Sequence, residues 1–67
     1  MSNISARIKQ LRTERGISQP DLAKALKVSN GTISFWENGV NEPKATYIIR
    51  LCQFFEVSAN YLLGLED

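Results

Sequence analysis

In the stretch VSNGTISFWENG, residues 28–39, the side chains able to engage a partner are short amides and hydroxyls: Ser29, Asn30, Thr32, Ser34 and Asn38. Such groups donate and accept hydrogen bonds without carrying charge, so the chemistry they offer is recognition at close range. Ile33 and Trp36 stand one helical turn apart. With Ile33 at 0° and about 100° per residue, Trp36 falls at about 300° and Glu37 at about 40°, so the buried stripe centres near about 330°. Gly31, Ser34, Phe35 and Asn38 occupy the opposite side. No lysine solvates that side, and Gly31 costs a helix interior about 1 kcal/mol relative to alanine. A face so short in side chain suits close contact with another surface.

Bond-making chemistry has little to work with. The chain has no histidine, its single cysteine, Cys52, falls on an apolar helical stripe, and neither a glycine-rich phosphate loop nor a paired-carboxylate pocket is visible. We therefore expect no enzyme, no resident metal, no cofactor and no small-molecule ligand. One cysteine also forbids an internal disulfide, and without histidine there is no zinc cluster to staple the fold.

The elements that position this stretch follow from periodicity. Ile4, Ile8 and Leu11 predict helix 1 from about residue 3 to Arg15, with Ser2 or Asn3 capping it and Gly16 ending it. Ser18 and Asp21 form a capping-box pattern for a short helix 2, in which Pro20 is tolerated because first-turn amides have no intrahelical acceptor. Leu22, Ala23 and Leu26 face inward. Ser29 is a good N-cap for helix 3, which ends at Gly39. Asn41-Glu42-Pro43 reads as a loop, after which Ile48, Leu51, Cys52 and Phe55 mark the inner stripe of helix 4, flanked by Tyr47 and Phe54. Ser58 caps a final short helix closed by Gly64. No strand signal, repeat or linker appears. The expected fold class is all-α, a compact five-helix domain over residues 1–67.

At 67 residues, folding buries only about 60% of the surface the unfolded chain exposes, so the core is small. The formal charge is +1, but residues 1–27 carry six cations against two carboxylates while the remainder carries two against five. One end can therefore face an anion that the other avoids. No apolar run approaches the ~20 residues of a membrane span, nothing at the N-terminus reads as a signal peptide, and the lone cysteine fits a reducing compartment.

The order of helix, SQPDLAKAL, short turn and VSNGTISFWENG resembles the helix-turn-helix of the lambdoid phage repressor and Cro family, and the likeness covers nearly the whole chain. It rests on Arg12, Gln19, Leu22-Ala23, Val28-Ser29, Ile33, Glu37-Asn38-Gly39, Pro43 and the closing VSANYLLG. The resemblance implies a lambda-repressor-like fold and a sequence-specific DNA-binding regulator, most often a repressor. Its third helix would enter a major groove about 12 Å wide. It places Ser29, Asn30, Gly31, Ser34 and Phe35 where family members touch bases, and Gln19, Thr32 and Asn38 where they touch phosphates. It sets Arg12 beside Glu37 as a structural pair. The partners it implies are double-stranded DNA and a second copy of the chain, in the cytoplasm at the nucleoid; residues near 57–63 are our candidate interface between the copies.

Three positions depart from the family pattern. Lys27 stands where a glycine is common and the turn wants a left-handed backbone. Gly31 removes a reading side chain, and Phe35 replaces a polar one. Asn30 can pair with adenine, whereas the Phe35 ring suits a thymine methyl group. The rival reading is a protein-interaction or antitoxin-like module that keeps the same fold.

Overall fold

In the computed structural model, which describes residues 3–66, Ile4, Ile8 and Leu11 line the inner face of α1 (Ile4–Glu14). Asn3 holds the N-cap position without a side-chain bond to the helix, so the expected cap is not made there, and Ser2 lies outside the described residues. Arg15 is the C-cap rather than the last helical residue, and Gly16 follows in the left-handed region at φ 68°.

The capping box at α2 (Gln19–Leu26) is complete: Ser18 Oγ accepts from the Asp21 amide at 3.1 Å, and the Asp21 carboxylate accepts from the Ser18 amide at 3.0 Å. The bond from the Ser18 amide, and after it one from the Ser18 side chain, hold the Asp21 carboxyl below its usual range. Leu22, Ala23 and Leu26 are buried on one face. The helix stops at Lys27, which is left-handed at φ 59° and ψ 44°, its amide and that of Val28 turning back to the carbonyls of Lys24 and Ala23. Only three residues later α3 (Asn30–Glu37) begins, with Ser29 as N-cap. Small Ala23 permits this tight crossing of α2 and α3.

Pro43 is buried in the connection to α4 (Ala45–Phe55), and Ser58 caps α5 (Ala59–Leu62) by accepting from the Tyr61 amide. On α4, Leu51 and Phe55 are fully buried, but Ile48 and Cys52 are only partly so. The inner stripe is narrower than expected because Cys52 lies about 100° around the helix from Leu51, at the rim of the core. Burial nonetheless raises the Cys52 thiol above its usual pKa.

Ile33 and Trp36 of α3 join Ile8, Leu22 and Leu51 in one core cluster, and no strand occurs among the described residues. The Trp36 and Tyr47 rings lie 5.6 Å apart, tying α3 to α4. The expectation of an all-α fold of five helices therefore holds.

Candidate nucleic-acid interface

The site is built around a carboxylate taken out of water. The Glu37 side chain is 2% exposed, and Arg12, at 12%, grips it with two bonds: Nε to Oε2 at 2.6 Å and Nη2 to Oε1 at 3.0 Å. Arg12 Nη1 also donates to the Ile17 carbonyl at 2.9 Å, and Gln19 Nε2 donates to Glu37 Oε1 at 3.1 Å. One carboxylate thus joins α1, the start of α2 and the end of α3. Burial alone would raise the Glu37 pKa. The bonds from Arg12 and Gln19, with the charges of Arg12 and Lys9, outweigh that and leave it below its ordinary value. The same bond raises the Arg12 pKa, against a smaller opposing effect of burial. A bidentate, charge-assisted pair fixes orientation as well as distance.

The outer side of α3 is thereby held at a set angle. Asn30 and Gly31 are exposed, and Phe35 is 49% exposed. Hydroxyl groups on this face are already engaged. Ser29 Oγ accepts from the Thr32 amide at 3.1 Å and shares a 2.9 Å bond with Thr32 Oγ1, while Ser34 Oγ accepts from Asn38 Nδ2 at 3.2 Å. The structure thus gathers Ser29, Asn30, Gly31, Thr32, Ser34, Phe35 and Asn38 on α3 and its caps. It sets Gln19 at the head of α2, with Arg12 and Glu37 behind them.

Sequence reasoning missed the Gln19–Glu37 bond and the pairing of the α3 hydroxyls. The spacings Ser29–Thr32 and Ser34–Asn38, three and four residues, were the signal available for the latter. It also missed a shallow cleft of about 310 Å³ beside Phe35, lined by Thr32, Trp36, Asn41, Lys44 and Tyr47. In the 57–63 segment, Leu62 belongs to this chain's own core and is not presented to a partner, whereas Tyr61 is partly exposed beneath the Arg7 guanidinium, 4.0 Å away. Among the described residues no cluster of three or more acidic or sulfur ligands could hold a metal ion. No helix of the described residues is long and apolar enough to cross a membrane.

A first helix of 11 residues, a buried arginine–glutamate clamp, and two shorter helices joined by a left-handed residue define a helix-turn-helix domain, and the chain belongs to that family, whose HTH_3 pattern it matches over residues 8–62. It is similar to the transcriptional regulator ImmR of Bacillus subtilis, 28% identical over 65 residues, covering 97% of this chain and 51% of ImmR. It is 37% identical over 65 residues to the regulator DicA of Escherichia coli, covering 96% of this chain and 48% of DicA. The chain thus spans about half the length of these curated relatives. Its structure is similar to that of the P22 c2 repressor in complex with a synthetic operator, at a TM-score of 0.89 and 32% identity, covering 98% of this chain and 100% of that one.

Proposed function

We propose that this chain binds duplex DNA in a sequence-specific way, inserts α3 in the major groove, and regulates transcription as a dimer on a near-palindromic operator, acting in the cytoplasm at the nucleoid. One observation carries the reading: α3 is locked from behind by the Arg12–Glu37–Gln19 cluster, while Asn30, Gly31 and Phe35 stand exposed in front. A helix read by base edges needs that combination of fixed angle and short outer side chains. The likeness to the operator-bound P22 c2 repressor over nearly the whole chain supports it.

In this reading the bases are met by residues 29, 30, 31, 34 and 35. Asn30 is the residue suited to adenine, since its amide carries both donor and acceptor. Gln19 and Asn38 each give one amide hydrogen to the protein and keep the second for a phosphate oxygen. Thr32 adds a backbone or hydroxyl contact at the start of α3.

Selection from a random duplex pool, followed by anisotropy titrations on one or two half-sites, tests the proposal. The enriched site should carry two half-sites with centres roughly 10 base pairs apart, matching adjacent turns of one groove face. Two half-sites should bind more tightly than one, and affinity should fall with salt. Equal affinity for one and two half-sites, independent of salt, would overturn the reading and favour a protein-interaction module.

A further inference from the structure

The polar equipment of α3 is smaller than its composition suggests. Ser29 and Thr32 bond each other, and Ser34 accepts from Asn38, which leaves Asn30 as the polar side chain of the exposed face that is not tied to a neighbour. The largest exposed group there is a phenyl ring with none. Phe35 is open on both flanks. On one side it lines the cleft shared with Thr32, Trp36 and Tyr47. On the other, one helical turn earlier, stands Gly31.

That glycine is not demanded by the chain's own packing. Its backbone is ordinary helix, and a Cβ placed on it would meet only Ser29 Oγ, at 3.8 Å, an ordinary contact. The missing side chain leaves open space beside the ring without serving the fold. In the major groove the one apolar group on a base edge is the C5 substituent of a pyrimidine.

We propose that Phe35, with the gap left by Gly31, is a reader of pyrimidine C5-methyl groups. It takes thymine, and accepts 5-methylcytosine at the same step, because the ring senses the methyl and offers nothing to the O4 or N4 beside it. The inference rests on the DNA-binding reading above and specifies what that site discriminates. Occupancy of the operator would then respond to cytosine methylation at that step.

The test starts from the duplex enriched by the full chain. Each thymine is replaced singly by deoxyuridine, which removes the methyl and preserves the pairing. One position per half-site should weaken wild-type binding about fourfold, one methyl's worth of burial, and leave Phe35→Ala unaffected. At that step a dC·dG pair is then compared with and without the C5-methyl. Methylation should raise wild-type affinity about fourfold and again leave Phe35→Ala indifferent. Phe35→Leu, which stays apolar, should keep part of the methyl preference and controls for folding. Specific enrichment with every deoxyuridine tolerated, or with Phe35→Ala equally sensitive to the methyl, overturns this proposal alone. Failure to enrich any sequence overturns the DNA-binding reading as well.

Discussion

At residue 27 a lysine adopts a backbone that favours glycine. Its φ of 59° is left-handed, a region that costs an L-residue with a Cβ roughly 1–2 kcal/mol. Lys27→Gly should therefore stabilise the domain by about 0.5–1 kcal/mol after the greater chain entropy of glycine is counted, and the β-branched Lys27→Val should destabilise it. Denaturant melts of the two variants check the opposite signs. The left-handed turn was legible from the family pattern, because a glycine is expected there. Glu56, left-handed at φ 57° after α4, was not, since glutamate carries no turn signal of its own. Gly31 presents the reverse case. As its Cβ position meets only ordinary contact, Gly31→Ala should raise stability by a few tenths to about 1 kcal/mol, read as a higher melting temperature. The wild-type residue forgoes that stability on the face assigned to DNA.

Among the elements, α3 depends on a partner 25 residues earlier in the chain. Removing one side of a buried pair leaves a charge without compensation, so Arg12→Met or Glu37→Leu alone should cost about 3 kcal/mol. The double variant should cost clearly less than the two together, and a double-mutant cycle by denaturant melts measures the coupling. The pH dependence has a definite sign. Because Glu37 is held below its ordinary value of 4.5, its contribution is complete above that value and is lost as pH falls through the lower folded one. Thermal melts from pH 6 downward should show this loss in the wild type and a smaller one in Glu37→Gln. Helical phase and the family likeness make the Arg12–Glu37 pair legible in the sequence. Gln19 was assigned outward only, because the direction of a flexible amide at a helix start depends on which acceptor the next element brings. The α4 stripe was overread at Cys52 for a related reason: periodicity gives the angle of a side chain but not the width of the surface covering it.

For the molecule as a whole, the arginines and lysines have separate duties. Arg7 lies over Tyr61, Arg12 clamps Glu37, Arg15 donates to the Phe55 carbonyl at 2.9 Å, and Arg50 reaches the Leu26 carbonyl at 3.4 Å. All four join helices to one another. The basic first half of the sequence is thus partly spent on holding the second half, which charge counting alone did not reveal. Lys9, Lys24, Lys27 and Lys44 are exposed, and so, despite their carbonyl bonds, are Arg15 and Arg50. With about 0.9 ion released per phosphate neutralised, the plot of log affinity against log salt should be no steeper than about −5 per protomer. Titrations at a series of potassium chloride concentrations give that slope directly.

The contact between α1 and the end of α5 has a topological consequence. The Asn3 amide donates to the Leu63 carbonyl at 3.4 Å, and a Cβ on Gly64 would come within 2.9 Å of the Asn3 Cβ. Points 60 residues apart along the polypeptide are therefore neighbours in space, and the path from helix 1 to helix 5 closes on itself. A circularly permuted chain should exploit this: a short glycine-serine bridge after residue 66 leading back to residue 3, with new termini opened in the exposed segment at residues 40–42. The five helices should re-form in the altered order, because neither the core nor the Arg12–Glu37 clamp is cut. Circular dichroism and a cooperative melt of the permutant provide the measurement, and an unfolded product would show that order along the backbone, rather than adjacency, governs assembly.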